Sequence, residues 1–163
     1  RAMMARSLQL STRHGVGRVH LSIGQVQWHR DGHTVRSAAL LKPVRLGIGR
    51  IGSGQQPVCW IHMDDVVAAI QFIAQQPVDQ PWRVFNLTAP QATTQQDFAQ
   101  TAARLLHRKL WLSLPAGLMR TAMGEQADLV LDGQYVEPAR LLAEGYSFHY
   151  PTLDAALENL LKG

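Results

Sequence analysis

The sequence predicts an α/β fold, and three observations point there. Strand-type and helix-type patterns alternate over residues 1–108, no apolar run approaches the ~18 residues that span a bilayer, and the texture breaks into short pieces from Leu110 onward. With 163 residues, 46% of them hydrophobic and 17% charged, the chain has enough apolar surface to build a core.

Taken in order, Met3, Met4, Leu8 and Leu10 fall at partly helical spacing, so Ala2 to Thr12 is read as a helix that stops at His14-Gly15. GRVHLSIGQVQW follows as a strand rich in Val and Ile, and RDGHT supplies turn chemistry. VRSAALLKPVRLGIG reads as a short apolar helix ended by Pro43 and then by glycines, after which a long Gly-rich loop is expected. PVCWIH is a buried-type strand. Asp64 is expected to cap the next helix and Asp65 to complement its dipole, with Val66, Val67, Ile70, Ile73 and Ala74 as its apolar face. RVFNLT reads as another strand, and Thr94 caps a helix over 95–107. Alternation of this kind argues for a parallel sheet covered by helices. Residues 109–163 read as a small α+β unit: LWLSLP, helices near 116–123 and 138–143, YSFHYP, and a last helix over 152–161.

Charge is lopsided. Residues 1–60 carry nine Lys/Arg against one Asp, whereas 61–163 carry seven against eleven acids, so an anionic ligand is expected to meet the first part. The single cysteine, Cys59, excludes an internal disulfide framework, and no spaced Cys/His set suits zinc. A reducing cytoplasm is the expected location. The first residue is Arg1, which suggests a crop, a processed form or an incomplete gene product. The Arg- and Ser/Thr-rich, acid-free stretch 1–22 also has the composition of a mitochondrial transit peptide.

Gly47, Gly49 and Gly52 spell a literal GxGxxG. A dinucleotide fingerprint needs a strand before it and a helix opening at the third glycine, and here SGQQPVCW continues as loop and strand. Two readings of residues 42–56 stay open. Glycine N–H groups with Lys42, Arg45 and Arg50, and with the polar Ser53 and Gln55, form a mobile loop that grips a substrate anion, or the segment is a solvated connection. In WIHMDD, Trp60 and Ile61 read as core strand, while His62, opposite Ile61 by alternation, hydrogen-bonds either substrate or loop backbone. Asn86 ends a strand, where open α/β sheets bind ligands, though such residues also tie down turns. His29 and His33 are four apart, but Asp31-Gly32 between them breaks any helix, so no metal site is expected.

Taken together, RLGIGRIGSGQQPVCWIHMDDVVAAIQFI, FNLTAP and YPTLDAALENLL resemble the atypical extended short-chain dehydrogenases/reductases described as epimerase-family proteins, whose members end in a small domain of unknown function of the DUF1731 type. The resemblance covers about Ala2 to Leu161. It implies that residues 1–108 are the C-terminal part of a Rossmann-like, substrate-binding domain and 109–163 the small C-terminal domain. It also implies NAD(P) as cofactor of an intact member, with Ile23 and Gly24 near the nicotinamide. The residue reading above supplies the expected substrate side: Lys42, Arg45, Arg50, Ser53, Gln55, Trp60, His62 and Asn86. Ser22 stands where the family shows Arg, and QVQWHRDG replaces an apolar run, which loosens the expected cofactor contact. The family's Tyr-x-x-x-Lys pair has no counterpart: four residues beyond Tyr135, Tyr146 and Tyr150 stand Ala139, Tyr150 and Asp154. No catalytic residue is therefore assigned, and the chain is expected to be inactive and not to bind NAD(P) alone. The expected partner is a small anionic or nucleotide-linked substrate, with a homodimer possible and no membrane. The rival reading is a non-catalytic interaction module whose basic first third meets nucleic acid or protein, but its cations lack interleaved aromatics. A third reading is a decayed product that folds only in part and exposes an apolar sheet edge beside Val19 to Ile23.

Overall fold

The computed structural model describes residues 4–12, 15–23, 26–28, 41–77, 82–124, 131–133 and 135–162. Its first sheet joins β1 (Met4–Thr12), β2 (Gly15–Ile23) and β6 (Trp82–Leu87) in the order β1-β2-β6. β1 runs antiparallel to β2 from Met4 opposite Ile23 to Thr12 opposite Gly15. β2 runs parallel to β6 from Arg18 beside Trp82 to Ile23 beside Leu87. Two further parallel pairs are β3 (Val26–Trp28) with β5 (Trp60–His62), and β4 (Ile48–Ile51) with β7 (Leu112–Leu114). Helices α1 (Met63–Gln75) and α2 (Gln95–Leu105) follow β5 and β6. Then come α3 (Ala116–Met123), α4 (Ala139–Ala143) and α5 (Leu153–Lys162).

The expected α/β alternation is present, with corrections. The helix expected over 2–12 is strand β1. Its sequence supports that outcome, because Leu8 and Leu10 alternate with Ser7, Gln9 and Ser11 at the two-residue period of a strand. The edge of β2 expected to lie open beside Val19 to Ile23 is occupied by β1 on one side and β6 on the other. Pro43 does not end its helix: residues 41–45 are helical, the Pro43 carbonyl accepts the Leu46 N–H, and the stop is Gly47 at φ +84°. The Gly-rich segment is not a loop throughout, because Ile48–Ile51 forms β4. The turn expected over 30–34, the start of the helix over 35–45, His29 and His33 lie outside the described residues.

Two cores flank β5. Trp60 packs with Leu41, Val44, Phe98, Ala99, Ala102, Leu153 and Leu157 on one side. Its neighbour Ile61 packs with Val19, Leu21, Val66, Ile73, Phe85, Leu87 and Leu141 on the other. Opposite-facing residues of one strand thus serve two apolar layers, which is the alternation rule acting on a strand buried on both faces. Residues beyond 108 complete both layers: Leu141 and Tyr146 close one, and Leu153, Ala156 and Leu157 close the other. Along α1 the buried stripe is Val66, Ala69 and Ile73, at helical spacing, and Val67 is exposed, against expectation. Buried Arg83 donates to the Ile73 carbonyl at 3.2 Å and so caps the end of α1, whose last turn holds no basic residue. No helix among the described residues is long and apolar enough to cross a membrane.

Candidate functional site

Parallel strands collect their carboxyl ends on one side of a sheet, and ligands of open α/β sheets bind there. β5 ends in His62 and β6 in Asn86 and Leu87, with Thr88 beyond. Asn86 Nδ2 donates to the Glu137 carbonyl at 3.2 Å and Thr88 Oγ1 to the Val136 carbonyl at 3.0 Å. These two bonds lay the 135–137 segment across the end of β6. Cys59 is buried there too, and its backbone contact with Val136 only partly offsets the desolvation that raises its thiol pKa. Tyr135 is half exposed beside Glu137, and its phenol pKa is raised.

His62 is the N-cap of α1, a role expected for Asp64. Its Nδ1 accepts the Asp64 N–H at 3.2 Å, which leaves the ring proton on Nε2. The ring lies inside the protein, with its centroid 4.0 Å from that of Tyr150. The register explains the difference: the helix begins at Met63, two residues earlier than a cap at Asp64 implies. Trp60 is core, as its strand pattern implied, and its indole N–H donates to Thr93 Oγ1 at 3.0 Å.

Asp65 does more than face the positive end of a helix. It is fully buried, and its Oδ1 accepts the His149 N–H at 2.7 Å and the Tyr146 hydroxyl at 3.2 Å, while Oδ2 accepts the Tyr150 N–H at 2.9 Å. The His149 ring nitrogen Nδ1 stands 3.2 Å from the same Oδ1. A buried carboxylate needs such donors, and the 146–150 segment supplies them. YSFHYP is therefore an irregular strap clipped to the start of α1. Burial first, and then the Asp65 charge and hydrogen bond, push the Tyr146 phenol above its ordinary range.

The remaining candidates divide. Ile23 ends β2 beside Leu87, and Gly24 lies outside the described residues. Lys42, Arg45 and Arg50 are exposed, as are Ser53 and Gln55. Ser53 Oγ donates to Gln56 Oε1 at 3.1 Å and accepts the Gln55 N–H at 3.2 Å, closing its own turn. Three of the glycine N–H groups are not open donors. Those of Gly47, Gly52 and Gly54 go to the carbonyls of Val44, Leu114 and Ile51. The Gln95 and Gln56 amides fix the same segment through Ile51 N and Ile51 O, at 3.0 and 2.9 Å. The segment is an anchored strand and turn, with Lys42, Arg45 and Arg50 exposed along it. Of the expected substrate residues, His62 ends β5 and Asn86 lies near the end of β6, in separate sheets, whereas Arg50 sits on β4 against β7.

The bonding roles of Asp65, Tyr146, Gln56 and Gln95 escaped the sequence reading. Their partners lie 81 residues apart for Asp65 and Tyr146 and 44 for Gln95 and Ile51, so no local pattern marks them. Among the described residues no group of His, Cys, Asp and Glu is arranged to hold a metal. NAD(P) does not fit as a complete ligand of these residues. The GxGxxG segment has its Gly47 and Gly52 N–H groups bonded within the chain and opens no helix.

Comparison with known proteins extends this picture. Residues 114–160 match a domain of unknown function, DUF1731. An epimerase family protein of Staphylococcus haemolyticus is 42% identical over 131 residues, covering 80% of this chain and 43% of that protein. Another, from Staphylococcus aureus, is 37% identical over 155 residues, covering 94% of this chain and 49% of the relative. The crystal structure of a human epimerase family protein with NADPH superposes with a TM-score of 0.72 at 36% identity, over 89% of this chain and 48% of that one. The chain spans about half the length of the relatives it matches.

Proposed function

Because the chain belongs to the epimerase family and carries its DUF1731 region, we propose that it forms the substrate-side portion of an NAD(P)-dependent epimerase- or oxidoreductase-like enzyme acting on a phosphorylated or nucleotide-linked small molecule. The observation that carries this reading is the 36% identity, over nearly the whole chain, to a human family member crystallised with NADPH.

In that role the chain's own residues position and enclose. The 135–137 segment, held by Asn86 and Thr88, forms one wall beyond β6, and the strap over 146–150, held by Asp65, packs Tyr150 against His62 at the end of β5. Lys42 and Arg45 offer exposed positive charge to the substrate anion. NAD(P), when bound by an intact enzyme, supplies the hydride chemistry. No residue described here forms the Tyr/Lys acid-base pair, so the chain is inactive alone. A single buried cysteine suits a reducing cytoplasm.

The test joins this chain to the amino-terminal half of the Staphylococcus aureus relative and screens the chimera with NADPH or NADH against phosphorylated and nucleotide-linked carbonyl compounds. Cofactor-dependent turnover by the chimera and none by the 163-residue chain is the expected outcome. A folded chimera that binds NADPH and turns over only uncharged substrates contradicts the anionic-substrate reading.

A further inference from the structure

An open cleft of about 380 Å³ lies between the β4/β7 pair and α2, away from the strand ends that hold His62 and Asn86. Arg50, Gln96, Gln100, Trp111 and Ser113 line it, with Leu110 and Leu112 as its apolar floor. No Asp or Glu lines it, so the Arg50 guanidinium sets its sign. Its volume falls at the lower end of the roughly 300–1,000 Å³ typical of small-molecule sites, too small for a dinucleotide.

The walls are built rather than incidental. The N–H groups of Trp111 and Leu112 both donate to the Gly47 carbonyl, at 2.9 and 3.0 Å. The Trp111 indole is seated directly over Gly47, where a methyl group would stand 2.2 Å from the indole nitrogen. Even so, Trp111 is 76% exposed. An indole fixed on a glycine and left open to solvent presents a flat stacking face at little entropic cost. Opposite it, Gln96 and Gln100 stand four residues apart on one face of α2 and bring two amides that read hydrogen-bonding edges. The near end of that helix is fixed by the reciprocal Thr94/Asp97 capping box and by the Gln96 N–H bond to the Gly54 carbonyl, 2.9 Å.

From this we infer that the cleft binds a small planar aromatic anion, the ring stacked on Trp111, the anionic group paired with Arg50, and the ring edge read by Gln96 and Gln100. Base-plus-phosphate and aryl carboxylate share that chemistry. The inference concerns a site separate from the one under the proposed function and stands without it.

Titration of the 163-residue chain, followed by the tryptophan indole N–H resonances in NMR, tests it. The probes are uridine and adenosine monophosphates, 4-hydroxybenzoate, uridine and ribose 5-phosphate, and the Trp111 signal is assigned by its loss in Trp111→Leu. The charged aromatic probes shift that signal at millimolar concentration, whereas uridine, which lacks the anion, and ribose 5-phosphate, which lacks the ring, bind at least about tenfold more weakly. Preference for the nucleotides identifies base-plus-phosphate as the source, and preference for 4-hydroxybenzoate identifies aryl carboxylate. Arg50→Gln removes the advantage of uridine monophosphate over uridine, and Gln100→Ala weakens both nucleotides. These two variants keep the test intact if Trp111→Leu does not fold. No response to any charged aromatic probe, or a response that Arg50→Gln and Gln100→Ala leave unchanged, overturns the inference.

Discussion

Asp65 carries the most consequential side chain outside the apolar layers, because one carboxylate takes donors from Tyr146, His149 and Tyr150. Asp65→Ala leaves the His149 and Tyr150 N–H groups without their acceptor, while the Tyr146 hydroxyl keeps only the residue-65 carbonyl at 3.1 Å, and is expected to destabilise the chain by about 3 kcal/mol, read as a lower urea midpoint. Asp65→Asn keeps the volume but turns an amide toward the same donors, and is expected to lie between. Tyr146 adds a pH signature. Its phenol pKa is raised in the folded state, so the stability it contributes is complete below the unfolded value near 10 and is lost as pH rises above it. Cys59, also raised, acts in the same direction at a lower onset, near its ordinary value of 9.0. Urea midpoints measured from pH 8 upward should therefore fall, and Tyr146→Phe should flatten the part of the fall above about pH 10. An unchanged profile in Tyr146→Phe would remove the hydrogen-bonded phenol from the account.

At the scale of elements, the segment from Gly47 to Gly54 shows how a motif acquires a different meaning from its context. Gly47 has φ +84° and carries the Trp111 indole on its α-carbon, so two independent constraints require glycine. Gly47→Ala is expected to cost about 1–3 kcal/mol in urea denaturation and to change the Trp111 environment in fluorescence. A literal GxGxxG thus serves a helix stop, a strand and a turn. Much of the element order was legible in the sequence. α1, α2 and β6 follow apolar periodicity, and the Thr94/Asp97 capping box is a local signal that the sequence states outright. β1 was not legible as a strand, since Met3, Met4, Leu8 and Leu10 fit a helical spacing nearly as well as alternation. The start of α1 was misplaced by two residues because Asp is the commoner cap and His62 took the position. At the site, Asn86 and His62 could be placed at strand ends, but the 135–137 wall and the 146–150 strap depend on bonds across 48 to 85 residues, which no local pattern encodes.

For the whole molecule, the parallel pairing of β2 with β6 and of β3 with β5 and the two apolar layers around β5 describe an α/β fold, with a wall segment and a strap beside the strand ends. One relative is crystallised with NADPH, while Gly47 and Gly52 of the segment that mimics a dinucleotide turn have their N–H groups bonded within the chain. The central claim is that this chain contributes the substrate side and cannot hold the dinucleotide alone. Calorimetric titration of the purified 163-residue chain with NADPH, beside the chimera carrying a relative's amino-terminal half, tests that claim most directly. The account predicts no measurable heat of binding for the chain and saturable binding for the chimera. Saturable NADPH binding by the chain alone, with hydride transfer to a carbonyl substrate, would contradict it.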